Sequence, residues 1–177
     1  MTNAKKVATR DAFGITLSVA MLELSRRPEM QNQLREEFQS AGNVSEIIRD
    51  ARKLDALPLL HGIVKESLRL RPTHPEGQPR MTPADTITKV FNMDIEVNTR
   101  INSYPWLLHR TEEIFPKPEI WDPYRWLRRD QDGQWRKAED KRLENWFWAF
   151  GRGPRICLGS NLVYQSKSQM LPPEDRF

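Results

Sequence analysis

Cys157 is the single cysteine in a chain of 177 residues, and its neighbours bear on what it can do. It stands in Phe150-Gly151-Arg152-Gly153-Pro154-Arg155-Ile156-Cys157-Leu158-Gly159. Two glycines ahead of the sulfur let the backbone turn without a Cβ and approach a flat ligand closely. Gly159 permits close contact where a helix is expected to begin. A cysteine just before a helix N-terminus, with Arg155 beside it, has its thiolate stabilised. Backbone N–H groups that follow the sulfur can hydrogen-bond it and tune a bound metal. These are the needs of a cysteine that stays anionic on a metal. Without such context a lone cysteine reads as an inert buried residue. One cysteine also excludes an internal disulfide framework and a multi-cysteine zinc site.

A second set of residues lies far upstream. Lys65-Glu66-Ser67-Leu68-Arg69 puts Glu66 and Arg69 three apart, on one face of a helix. Such a pair is either solvent-exposed and worth a few tenths of a kcal/mol, or part of something larger. A third charged residue, Arg125, occurs in Ile120-Trp121-Asp122-Pro123-Tyr124-Arg125-Trp126. Two guanidiniums and one carboxylate can form a planar, bidentate, buried cluster. His61, His74 and His109 show no metal-ligand spacing to one another. His61 and His74 are expected near the surface, and His109 at a packing and hydrogen-bonding position.

The cysteine segment resembles the heme-binding loop of the cytochromes P450, Phe-x-x-Gly-x-Arg-x-Cys-x-Gly. Phe150, Gly153, Arg155, Cys157 and Gly159 all match. Glu66 and Arg69 resemble the Glu-x-x-Arg pair of that family, and Arg125 resembles the arginine of its later Pro-x-Arg-Trp segment. Tyr124 stands where the family usually has Glu. The resemblance implies that Cys157 is the axial ligand of the iron of heme b. It implies that Glu66, Arg69 and Arg125 hold the cysteine loop in place and take no part in the reaction. Arg155, and Arg80 in Gln78-Pro79-Arg80, fit the heme propionates by charge-assisted hydrogen bonds; the other reading of Arg80 is a surface arginine. Ala8-Thr9-Arg10-Asp11-Ala12 resembles the family's Ala-Gly-x-Asp/Glu-Thr on its long central helix. Thr9 replaces the glycine, and Ala12 replaces the threonine whose hydroxyl helps deliver protons. Asp11 is either a proton relay through water or an exposed residue without a role. General acid–base help of this kind is worth about 10²–10⁴ in rate.

The elements that must position these groups are mostly helical in the first half. Residues 8–27 read as a helix whose apolar surface is wider than one stripe, which points to burial. Pro28 would open a second helix, residues 29–39, with Met30, Leu34 and Phe38 on one face. Gly42 and Asn43 end it. Ser45 is a plausible N-cap for a short helix to about Lys53. Leu57-Pro58 opens another, to about Leu70, with Leu60, Val64 and Leu68 in step; Arg71-Pro72 stops it. Prolines 72, 75, 79 and 83 then space short extended pieces. Residues 95–97 and 101–104 alternate as short strands. Residues 109–115 fit one short helix, and 121–148 read mostly as loop with a turn at Asp132-Gly133. The last helix would start after Gly159. Residues 1–165 form one domain portion and 166–177 a polar tail without apolar periodicity.

The bulk properties are compatible with this. Twenty-eight Lys and Arg against 24 Asp and Glu give +4, too small an excess to signal nucleic-acid binding. A mean hydropathy of −0.71 is polar for a self-sufficient globule and suggests a core completed by something further. No apolar run approaches the ~20 residues of a membrane span, and the first residues lack the apolar stretch of a secretory signal. The expected fold class is mainly α: a partial cytochrome P450 fold with a long central helix, following helices, small β elements, a meander and the cysteine loop, truncated at both ends. The resemblance covers only the second half of a full-length member, eukaryotic and fungal-like in style. It implies a heme-thiolate monooxygenase that inserts one oxygen atom into a small organic substrate. Electrons would come from NADPH-cytochrome P450 reductase or a similar donor, docking near Arg128, Arg129, Arg152 and Arg155. Nucleic acid is not an expected partner. The full-length protein would lie at the endoplasmic reticulum membrane through an N-terminal anchor outside this chain. Two alternatives stand beside this: an inactive remnant without a closed heme pocket, and a heme protein with peroxygenase or isomerase chemistry.

Overall fold

The computed structural model describes residues 3–43, 50–90 and 92–160, and for residues 3–13 and 51 the course of the main chain only. The first helix, α1 (Asn3–Ser25), begins earlier than the apolar pattern indicated. Thr16, Ala20 and Leu24 are buried at a spacing of four, whereas Ile15 and Leu22 are exposed. Among the described side chains of α1 the fully buried positions form one stripe, with Leu17 and Met21 partly buried beside it. Arg27 closes the helix by donating from its main chain to the Leu24 carbonyl at 2.9 Å. Pro28 then opens α2 (Pro28–Ser40) as its first residue, where its missing N–H costs nothing. Met30, Leu34 and Phe38 form the buried face of α2.

The short α3 (Ala51–Asp55) is capped by Asp50, which accepts from the Arg52 N–H at 2.9 Å. The proposed cap at Ser45 lies outside the described residues. Helix α4 (Pro58–Leu70) is the centre of the molecule. Its N-terminus is capped from α2: the Glu37 carboxylate accepts from Leu59 N at 2.7 Å and Leu60 N at 3.0 Å. From Leu59 to Leu70 every residue except His61 is buried, so α4 has a buried circumference and not a single apolar face. Gly62 permits this, because a Cβ there would lie 2.7 Å from the carbonyl oxygen of Pro123.

Among the described residues three separate antiparallel ribbons follow. Strand β1 (Gln78–Met81) pairs with β4 (Arg100–Ser103), Arg80 opposite Ile101. Strand β2 (Thr88–Val90) pairs with β3 (Met93–Ile95), and β5 (Leu127–Arg129) with β6 (Trp135–Lys137). The strand expected at 95–97 is thus displaced toward Met93. Residues 109–115 are turns, not a helix. The helical turn there is α5 (Pro105–Leu108), started by a proline, and His109 caps its end. Segment 121–148 is more ordered than its irregular sequence suggested. It holds a 3-10 turn (Pro123–Trp126), the β5–β6 hairpin and α6 (Lys141–Trp146), capped by Asp140. The hairpin turns at Gly133, with φ +75°, and Asp130 accepts from the N–H groups of Asp132 and Gln134 at 3.1 and 2.8 Å. The fold is mainly helical with small β ribbons. The core is built from α1, α2, α4, the 3-10 turn and the aromatic residues Phe115, Trp121, Trp126 and Phe147.

Candidate active site

The carboxylate of Glu66, in the middle of α4, receives five hydrogen bonds: Arg69 Nε and Nη2 at 2.8 Å each, Trp126 Nε1 at 2.9 Å, Asp122 N at 3.1 Å and Arg125 Nε at 3.2 Å. Glu66 and Arg69 are wholly buried and the Arg125 side chain is 8% exposed. Burying these charges is tolerable because, among the described residues, no buried side-chain nitrogen or oxygen is left without a hydrogen-bond partner. Arg69 also donates to the carbonyls of His109 at 2.7 Å and Pro118 at 2.8 Å. The three residues singled out from the sequence therefore come together. Of the two guanidiniums, only Arg69 is bidentate. Arg125 gives one bond to Glu66 and one to the Pro116 carbonyl at 3.1 Å, and an indole and a main-chain N–H fill the other places. Trp126 belonged to the same sequence segment, but nothing in its spacing revealed that it would donate to Glu66.

Lys65 and His109 complete the surroundings. Lys65 is 5% exposed; its ammonium lies over the Trp126 ring at 4.4 Å and pairs with Glu144 of α6. Burial pushes the Lys65 pKa down, and the Glu144 carboxylate opposes that shift. His109 is fully buried, and burial lowers its pKa to about 4. Its Nδ1 lies 2.8 Å from the Arg69 carbonyl oxygen and its Nε2 accepts from Trp148 N at 2.8 Å. His61 is half-buried, and burial and the nearby Lys137 and Lys65 lower its pKa to about 4, so it is less superficial than expected. His74 is exposed beside Glu76.

The cysteine loop follows Trp148. The Gly151 N–H returns to the Trp148 carbonyl at 2.9 Å, and the Cys157 N–H to the Phe150 carbonyl at 2.9 Å. Gly151 and Gly153 have φ +72° and +75°, the left-handed region glycine occupies at least cost. A side chain at Gly151 would also meet the Gln78 amide at 2.8 Å. Phe150 is half-buried against the core. Arg152 anchors the loop to α6, donating to the Glu144 carbonyl at 3.0 Å and Asn145 Oδ1 at 2.6 Å. Arg80 reaches across from β1 to the Arg152 carbonyl oxygen at 2.9 Å. Arg155 and Cys157 are exposed, and Gly159 lies close to the sulfur, its Cβ position 3.8 Å away. The side chains of Asp11 and Ala12, on α1, lie outside the described residues, as does the helix expected after Gly159 beyond Ser160.

An exposed thiol, the exposed apolar side chains of Ile156 and Leu158, and arginines at 80 and 155 are suited to a flat, largely apolar group that carries carboxylates and a metal. A helical scaffold with a buried carboxylate–guanidinium cluster behind such a cysteine loop defines a narrow class, and comparison with known proteins identifies it. The sequence model of the cytochrome P450 family matches residues 7–171. The chain belongs to that family, and membership implies a heme cofactor. It is 35% identical to the cytochrome P450 monooxygenase ankB of Aspergillus thermomutatus, over 89% of this chain and 28% of that protein. It is 29% identical to the cytochrome P450 monooxygenase pbrB of Penicillium brasilianum, over 87% of this chain and 28% of the relative. The mitochondrial cytochrome P450 11B1 of Rattus norvegicus is 32% identical over 86% of this chain and 28% of its own length. The chain thus spans about three-tenths of the length of these curated relatives. Among the described residues no helix is long and apolar enough to cross a membrane.

Proposed function

We propose that this chain is the heme-binding part of a heme-thiolate monooxygenase that inserts one oxygen atom from O2 into a small organic substrate. The observation that carries the reading is an exposed cysteine at the end of a glycine-turned loop whose base is tied to the Glu66–Arg69 pair. When heme b is bound, it supplies the redox chemistry, and a thiolate ligand favours O–O cleavage. The residues of the chain do the rest. Cys157 would be the residue that holds the iron, through its thiolate. Gly153 and Gly159, without side chains, would let the loop approach a flat cofactor closely, and Phe150 packs against the core. Arg155 and Arg80 would hold the propionates by charge-assisted hydrogen bonds. Glu66, Arg69 and Arg125 hold the loop's foundation still. Asp11 holds a proton for delivery through water, since Ala12 has no hydroxyl to offer.

The electron donor in this reading is NADPH-cytochrome P450 reductase or a similar flavoprotein, meeting the arginines at 128, 129, 152 and 155. The longer protein would lie at the endoplasmic reticulum membrane, as the fungal-like resemblance suggests. Ala12 favours a second reading, in which heme is bound but the chemistry is that of a peroxygenase or isomerase. The test is the carbon-monoxide difference spectrum of the purified chain, loaded with hemin and reduced. The red-shifted Soret band of a thiolate complex is expected, and Cys157→Ala should abolish it. An alanine variant with the same spectrum as the parent refutes the ligand assignment. A parent chain that takes up no heme favours an inactive remnant.

A further inference from the structure

We infer that His109 is a positioning residue that carries the geometry of the Glu66–Arg69 pair to the base of the cysteine loop. The contacts are reciprocal. Arg69 donates from Nη1 to the His109 carbonyl at 2.7 Å, while His109 Nδ1 faces the Arg69 carbonyl at 2.8 Å. A carbonyl can only accept, so Nδ1 carries the proton. Nε2 lies 2.8 Å from the Trp148 main-chain N–H, which can only donate, so Nε2 is bare. One neutral tautomer satisfies both bonds; neither the other tautomer nor the imidazolium does. The ring is wholly buried. It stacks on Phe147 at 5.4 Å and 11°, and meets Phe115 edge-on at 6.2 Å.

From Trp148 the connection continues into the loop. Its carbonyl accepts the Gly151 N–H, and two residues after the first turn begins the Phe150 carbonyl accepts from Cys157 N. An unbroken series of short bonds and adjacent peptides runs from the Glu66 carboxylate through Arg69, His109 and Trp148 to the peptide of the sulfur. Phe147 provides a parallel packing route, since it also meets Trp126, the indole donor to Glu66, at 5.3 Å. The consequence for a metal rests on the proposed role of Cys157. The mechanical role of His109 does not.

The tests therefore begin without heme. In the purified chain at neutral pH, long-range proton–nitrogen NMR should show His109 protonated at Nδ1 and bare at Nε2. An Nε2–H form or an imidazolium overturns the inference. His109→Phe keeps the ring and its stacking but removes both polar bonds, and should speed exchange of the Trp148 amide by roughly ten-fold or more. His109→Gln, which can offer an oxygen to the Trp148 N–H, should bring the rate back toward the parent value. A folded His109→Phe variant with unchanged exchange overturns the inference, and if that variant does not fold the tautomer decides. With hemin added, His109→Phe should shift the carbonyl Soret band away from the thiolate position, and His109→Gln should restore it. If the parent chain gives no thiolate spectrum, the heme reading falls while the tautomer and exchange still judge His109.

Discussion

The Glu66 carboxylate lies edge to edge with the Arg69 guanidinium, both contacts 2.8 Å, and neither side chain is exposed to solvent. An ion pair this deep is sustained by its remaining partners, Trp126, Asp122 and Arg125, and not by Coulomb attraction alone. Glu66→Gln should therefore cost about 3–5 kcal/mol, because it strands a buried guanidinium. Arg69→Lys should also be strongly destabilising, since one ammonium cannot reproduce the fork or reach the carbonyls of His109 and Pro118. Urea unfolding of the purified chain measures both. A loss below about 1 kcal/mol for Glu66→Gln would mean that the cluster relaxes into solvent.

The opposite demand for space appears at two glycines. At Gly62 a methyl group would sit 2.7 Å from the Pro123 carbonyl oxygen, and main chain cannot step aside like a flexible side chain. Gly62→Ala should cost about 1–3 kcal/mol and loosen the 3-10 turn that carries Arg125 and Trp126. At Gly14, on α1, nothing lies within 4 Å of the Cβ position, so Gly14→Ala should stabilise the helix by up to about 1 kcal/mol. Denaturant midpoints of the two variants should move in opposite directions, with amide exchange at residues 124–126 rising only in the first.

The helices were legible where one rule applied at a time. Pro28 and Pro58 start helices because proline suits a first helical turn, and Met30, Leu34 and Phe38 face inward because they recur every four residues. The cysteine loop was legible through its likeness to a family pattern, matched by Phe150, Gly153, Arg155, Cys157 and Gly159. What stayed hidden were burials decided by partners far away in sequence. Lys65 is hydrophilic by type, but the Trp126 and Phe147 rings and Glu144 make its burial tolerable. His109 was expected at a packing and hydrogen-bonding position, but its partners, Arg69 and Trp148, lie some 40 residues to either side and no local pattern names them. The hairpin and helix within 121–148 were missed because strands of three residues are too short to show alternation, and Asp130 and Asp140 do locally what periodicity would otherwise signal.

Glu37 gives a pH dependence of one sign. It caps α4 through Leu59 N and Leu60 N, yet burial raises its pKa above the ordinary 4.5. A carboxylate with a raised folded pKa binds its proton more tightly in the native state. Its favourable contribution is full below the unfolded value and is lost as pH rises through the folded one. Glu37→Gln should flatten that part of the stability curve while leaving an oxygen for the helix. Glu37→Leu should cost about 1–3 kcal/mol at every pH, by leaving two N–H groups of the first turn without their acceptor. Urea midpoints from acid to neutral pH distinguish the two. A glutamine variant with the parent's slope would place the titration elsewhere.

His109 gives the other sign, over a higher range. Its pKa falls from 6.5 to about 4 because the ring is buried, next to two guanidiniums, Arg69 and Arg110. The native state thus binds fewer protons than the unfolded chain between those values. Stability should be full above about pH 6.5 and decline as pH falls toward 4, by about 3 kcal/mol from this residue. His61, lowered to about 4 as well, adds to the same decline. Replacing His109 by Phe removes the first contribution and leaves the second, so the variant's stability should fall less steeply with acid than the parent's. Its neutral-pH stability should also drop, since the Trp148 N–H and the Arg69 carbonyl lose their partner. Unfolding curves at a series of pH values for the parent and the variant give both quantities. Parallel curves would mean that His109 titrates alike in the native and unfolded states, and would overturn the lowered pKa.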